Sequence, residues 1–104
     1  MDNNEWLNKI YLEVQRIKKQ GINTTDQEGN TALMKAIINR QTVLSKILLK
    51  EENIDLNVQN KKGLTALMLA GKKNIRPIAN RILDIYSTKG IIDLVIKWKN
   101  SGHS

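Results

Sequence analysis

The chain has 104 residues, with 17 Lys and Arg against 10 Asp and Glu, a net charge of +7 and a pI near 9.8. That length bounds it to one domain or a piece of one, and the absence of cysteine excludes a disulfide framework and thiolate metal sites. The positive charge reads either as a basic surface for an acidic protein, nucleic acid or anionic lipid, or as a compositional bias, because Lys, Ile and Asn are abundant along the whole chain.

Asn3 to Lys19 reads as an amphipathic helix, with Trp6, Leu7, Ile10, Val14 and Ile17 at three- and four-residue steps. Asn3 or Asn4 is placed to cap its first turn, where Glu5 suits the dipole, and Gly21 is placed to stop it. A polar, turn-rich stretch follows from Ile22 to Asn30. Thr31 then precedes a new apolar period and is expected to cap a helix in which Leu33 faces the core and Ala36 permits close packing. Val43, Leu44, Ile47 and Leu48 form the apolar stripe of the next helix, with Thr42 expected as its cap.

The pattern then repeats. Gly29-Asn30-Thr31-Ala32-Leu33-Met34-Lys35-Ala36 recurs as Gly63-Leu64-Thr65-Ala66-Leu67-Met68-Leu69-Ala70, at an offset of about 34 residues, the period of a helical solenoid. Thr65 is the matching cap and Leu67 the matching core residue. The partner helix of this second copy is expected from about Pro77 to Tyr86, with Ile78, Ile82 and Ile85 on one face and Pro77 in the first turn. Ser87-Thr88-Lys89-Gly90 is expected to break the chain. From Ile91 to Lys99 the pattern fits both a strand and a helix; helix is preferred, because a lone strand would have no sheet to join. Asn100 to Ser104 is expected to fray.

These residues resemble ankyrin repeats. Asp26-x-x-Gly29-x-Thr31-Ala32-Leu33-Met34-x-Ala36, followed by Ile47-Leu48-Leu49 and Ile54-Asp55-Leu56-Asn57, is similar to the family's hairpin turn, helix pair and return turn, and Asn60-x-x-Gly63 to Ala70 gives a second match. The matches cover roughly residues 22 to 86. Ala32 and Ala66 replace the family's proline, and Met34 and Met68 its histidine, which removes side-chain hydrogen bonds from the turn network. Arg40 and Asn74 stand where the family usually has glycine, and the turn Lys50–Ile54 is one residue longer than usual. The resemblance implies an all-α solenoid of antiparallel helix pairs joined by hairpin-like turns. Its expected division is a capping helix (1–21), repeat 1 (22–56), repeat 2 (57–89) and a terminal cap or degenerate repeat (90–104). In the last case Ile75–Ser87 is partly an insertion. Trp6 and Trp98 are expected to cover the open ends of the core.

Catalytic and cofactor chemistry is poorly represented. His103 is the only histidine, in Ser101-Gly102-His103-Ser104, with no fixed acid nearby. Glu51-Glu52 reads as two solvated carboxylates in a turn. There is no phosphate-binding glycine loop and no metal-ligand spacing. The sequence therefore predicts neither enzymatic activity, nor a cofactor, nor a metal. Asn57 resembles a position that some ankyrin proteins offer to an asparagine hydroxylase; its expected role is hydrogen bonding within the turn.

The resemblance implies that contacts come from the hairpin tips and the outward side of each first helix. In the first copy these are Gln27, Glu28, Asn30, Ile38 and Asn39; in the second, Lys61, Lys62, Leu64, Lys72 and Lys73. Four lysines thus fall on one expected concave face, with Leu64 as an apolar contact among them. A protein partner with an acidic surface is the leading expectation. Nucleic acid through the same lysines is less favoured, because aromatics are few and Lys outnumbers Arg; anionic lipid is third. An effector or inhibitor of a host or toxin protein fits equally. No apolar run approaches the ~20 residues that span a bilayer, and Met1–Glu5 lacks the order of a signal peptide. A cytoplasmic protein is expected, or one delivered into a host cell if it is an effector. Oligomeric state is not legible.

Overall fold

The computed structural model describes residues 3–100, of which the side chains of residues 3, 91–95 and 97–100 are left aside. Five helices follow one another: α1 (Asn3–Gln20), α2 (Ala32–Ile38), α3 (Thr42–Leu48), α4 (Ala66–Lys72) and α5 (Arg76–Asn100), and no strand forms among the described residues. Helix α2 packs on α3 within one pair and α4 on α5 within the next; α2 stacks on α4, and α3 lies between α1 and α5. The result is the expected solenoid, with the short α2 and α4 in one row and α1, α3 and α5 in the opposite row.

The two copies are built by the same local devices. Thr31 and Thr65 are extended and their hydroxyls accept from the backbone N–H groups of Met34 and Met68, at 3.2 and 3.3 Å. Both first helices end by the same left-handed connection. The Arg40 N–H bonds the Ile37 carbonyl and the Gln41 N–H the Ala36 carbonyl; Asn74 and Ile75 repeat this with Gly71 and Ala70. Arg40 and Asn74 take φ of 57° and 58°, so both occupy a conformation that costs a side chain and that glycine adopts freely. This is the physical content of the departure seen in the sequence at these two positions.

Helix α3 departs from expectation at its start. Gln41, not Thr42, is the N-cap, and no side chain caps the helix. The left-handed connection uses residues up to Gln41, so Thr42 is already helical. Val43 is 41% exposed, so the buried stripe narrows to Leu44 and Leu48, with Ile47 half-buried.

The core is continuous along the stack. Ile17 and Val14 of α1, Leu33, Met34, Ala36 and Ile37 of α2, Leu44 and Leu48 of α3, Ala66, Leu69 and Ala70 of α4, and Ile78 and Ile82 of α5 are all buried in it. Leu67 packs against it half-buried. Fully burying a side chain of this size is worth about 1.5–3 kcal/mol. Trp6 is 55% exposed and does not cover the end of the core. Only the later turns of α1 bury their apolar face, through Ile10, Val14 and Ile17, and Leu7, Tyr11 and Leu12 are exposed with Trp6. Trp98 and His103 lie outside the described side chains.

The expected break at Ser87–Gly90 is absent. Helix α5 runs without interruption from Arg76 to Asn100, with Pro77 in its first turn. The Thr88 hydroxyl is accommodated within the helix, donating to the Asp84 carbonyl 2.9 Å away. Gly90 is exposed within this helix and open space surrounds the position of a Cβ. The helical preference of residues 91–99 overrides a weak breaker, because one glycine costs only about 1 kcal/mol in a helix interior.

Two stability outcomes follow from this architecture. Gly90→Ala is expected to raise stability or helicity slightly, by up to about 1 kcal/mol, in urea unfolding followed by circular dichroism; a fall would mean that the helix ends where the composition suggests. Gly29→Ala and Gly63→Ala should differ. Both positions have positive φ, 81° and 77°, but a Cβ at Gly29 would lie 3.0 Å from the Lys61 nitrogen and 3.1 Å from the Asn60 Cα, whereas at Gly63 nothing lies within 4 Å. Gly63→Ala should lose about 1–2 kcal/mol and Gly29→Ala clearly more, in the same unfolding assay.

Candidate functional site

The hairpin tips are each organised by one residue. In the first, Asp26 Oδ1 accepts from the N–H groups of Glu28 and Asn30, at 2.9 and 3.0 Å. In the second, Asn60 Oδ1 accepts from those of Lys62 and Leu64, both at 3.0 Å. Each tip closes by a backbone bond, Asp26 N–H to the Asn30 carbonyl and Asn60 N–H to the Leu64 carbonyl. A carboxylate and a carboxamide thus do the same work, since each offers one oxygen to two donors.

The tips are also joined to each other. The Lys61 N–H donates to the Glu28 carbonyl at 3.0 Å, and Asn60 Nδ2 donates to Asn30 Oδ1 at 2.9 Å. Farther along the stack, Asn23 clamps the next loop: its Nδ2 donates to the Asn53 carbonyl and its Oδ1 accepts from the Asp55 N–H, at 2.7 and 2.8 Å. At the position equivalent to Asn23, Asn57 meets α5 instead. The Tyr86 hydroxyl lies 2.9 Å from Asn57 Oδ1 and 3.0 Å from the Leu56 carbonyl. Burial, with the nearby charge of Asp55, raises the Tyr86 phenol above its ordinary value.

The joined tips and the helices behind them enclose a cleft of about 550 Å³. Glu28 and Asn30 contribute from the first tip, Ile38 from the end of α2, Asn60, Lys61, Lys62 and Leu64 from the second tip, and Leu69, Lys72 and Lys73 from α4. The structure therefore brings together Lys61, Lys62, Leu64, Lys72, Lys73, Glu28, Asn30 and Ile38. Lys61, Lys62 and Lys72 are exposed and Lys73 is half-buried. The ion pairs among the described residues are Arg16–Glu13, Lys18–Glu51 and Lys35–Asp26, so none of these four lysines is paired with an acid among the described residues.

Three expected site residues are placed differently. Asn30 is buried, and its side chain is committed to Asn60; it supports the cleft rather than offering a free carboxamide. Asn39 lines a neighbouring hollow of about 330 Å³ with Glu13, Arg16, Gln20 and Lys35. Gln27 is exposed at the tip, outside the cleft lining. Sequence reasoning missed Leu69 and Asn60. Leu69 was findable: it lies three and four residues before Lys72 and Lys73, so the helical period sets it beside them. The offset that pairs Asp26 with Asn60 marks the second.

The side-chain bonds lost with the family's histidine are partly replaced. In the first copy the Thr31 N–H meets the Met34 sulfur at 3.4 Å. Met34 is buried, whereas Met68 at the same point of the second copy is 50% exposed.

The family model described as ankyrin repeats (3 copies) matches residues 3–93. The chain belongs to the ankyrin-repeat family. A comparison with curated proteins gave no match. Ankyrin repeats are in general protein–protein interaction modules and typically non-catalytic. Among the described residues of this ankyrin-repeat protein, no helix is long and apolar enough to cross a membrane, and no group of three or more His, Cys, Asp or Glu side chains is placed to hold a metal ion.

Asp26 gives the tip a pH response. The N–H of Asn30, then that of Glu28 and the charge of Lys35, hold its carboxyl below the ordinary value of 3.8. A group depressed in the fold stabilises it above the unfolded value, and that contribution is lost as pH falls through the folded value. Asp26→Asn should keep the tip folded, as Asn60 shows the carboxamide can, and should flatten the fall in melting temperature below about pH 4. Thermal melts of both proteins from pH 6 to pH 2.5 check this.

Proposed function

We propose that the protein binds an acidic protein partner through the cleft between the tips and α4, without catalysis. The observation that carries this reading is the convergence of Lys61, Lys62, Lys72 and Lys73 on one cleft, with none of them paired to an acid among the described residues. Leu64 supplies apolar contact among them. Gln27, Glu28 and Asn39 lie around the rim and on the adjacent surface, and Asn30 acts by holding the tips together. Charges of one sign lining a concavity focus the field and steer an oppositely charged partner during encounter. Lysine heads on flexible stems suit an acidic surface of varied geometry, whereas bidentate recognition of phosphate or guanine calls for Arg.

Lys72 and Lys73 also close the C-terminal end of α4, where positive charge favours a helix by about 0.3–1 kcal/mol. That local role does not account for Lys61 and Lys62, which stand on the tip at the opposite end of the helix.

The test is a crosslinked pull-down from nuclease-treated lysate. Wild type is compared with a variant carrying Lys61→Glu, Lys62→Glu, Lys72→Glu and Lys73→Glu, whose fold is checked by circular dichroism. Capture of acidic proteins by wild type and its loss in the folded variant is expected. Equal capture by both would refute the basic site and turn attention to Gln27, Asn39 and the terminal helices. Binding that appears only when nuclease is omitted would place nucleic acid on the same lysines.

A further inference from the structure

We propose that the occupant of the cleft is a short, extended acidic segment with one apolar side chain between two acidic ones, in the pattern acidic-x-apolar-x-acidic. This rests on the acidic-partner reading and narrows it. The lysines form two pairs, Lys61 and Lys62 at one end of α4 and Lys72 and Lys73 at the other. The seven residues of α4 rise about 10 Å at 1.5 Å per residue, and Gly63, Leu64 and Thr65 lie between that helix and the first pair. Between them the cleft is apolar. Leu69 is buried there, and Leu64 and Ile38 are half-buried.

An extended chain advances about 3.3 Å per residue and turns alternate side chains to the same face. Residues i, i+2 and i+4 therefore point together, with the outer two about 13 Å apart. Flexible lysine stems close the remaining difference. The central side chain then lies over Leu64 and Leu69, which a run of charges alone would leave wet. A cleft of about 550 Å³ has the size of sites that take a small group rather than a broad folded surface. Glu28, an acid on the rim, disfavours a uniform polyanion along the whole cleft more than it disfavours two spaced acids.

The probe is a fluorescent peptide of about nine residues with glutamate-x-leucine-x-glutamate at its centre, read by anisotropy at 0.15 M salt. Controls replace the leucine by serine, replace both glutamates by glutamine, or use a single-stranded oligonucleotide. The parent peptide should bind at least about 10-fold tighter than each control. Leu64→Ser should reduce its affinity to that of the serine peptide, and Leu64→Met should preserve it. Lys61→Gln with Lys72→Gln should reduce it to that of the glutamine peptide, with melting temperatures of all variants checked.

Equal affinity of the parent and serine peptides would overturn the apolar anchor while leaving the basic site. Failure of every peptide to bind, with acidic proteins still lost from the pull-down on charge reversal, would overturn the linear segment and leave the acidic-partner reading. Tightest binding of the oligonucleotide, abolished by charge reversal, would overturn both.

Discussion

Everything in this protein depends on one repeat covering the face of the next. A seven-residue helix such as α2 or α4 is too short to be stable by itself, and its apolar side is covered partly by the second helix of its own pair and partly by the neighbouring pair. The close approach of the tips makes that contact tight. Gly29 lies against the Asn60–Lys61 backbone, and the Lys61 N–H and the Asn60 carboxamide reach back to the first tip. Because these bonds link backbone to backbone and carboxamide to carboxamide, they set the relative position of the two copies as well as their distance. The cleft is a product of that register, since its lining comes from both tips and from both first helices.

The same residue behaves differently in the two copies because, among the described residues, only the first helix and tip of the first copy are covered by another copy. Met34 is buried where α4 follows it, and Met68, with the same spacing from its capping threonine, is half exposed. A Cβ at Gly29 would strike the second tip, and one at Gly63 would meet open space. On the other side of the stack, Tyr86 of α5 occupies the place where a further loop would meet Asn57, as Asn53 and Asp55 meet Asn23. One side chain thus serves the turn at Asn57, while Met68 on α4 is exposed among the described residues. Ankyrin repeats are in general protein–protein interaction modules, and here Lys61, Lys62, Lys72 and Lys73 of the second copy all line the cleft between the tips and α4.

The helix pairs, the capping threonines and the tip glycines were legible because each rests on local chemistry: a hydroxyl beside an apolar period, or a glycine at a fixed offset. The left-handed positions at Arg40 and Asn74 were legible by comparison with the family pattern. Thr42, Trp6 and Ser87–Gly90 were not read correctly, for three separate reasons. The connection after α2 consumes one more residue than its polarity suggests. An amphipathic stripe on α1 says which face is apolar but not how far along the helix a neighbour extends. Turn-forming residues break a helix only when the flanking segments prefer to part.

The sequence by itself determined the repeat, its period, the local caps and the excess of lysine in the second copy, since these depend on neighbours within a turn or a fixed spacing. Only the tertiary structure decided which faces are covered, that Asn30 is committed to Asn60, and that Leu69 joins Leu64 and Ile38 between the two pairs of lysines. Those facts arise where residues some 30 positions apart meet across a stack, and no local propensity specifies how closely, or in what register, two repeats come together.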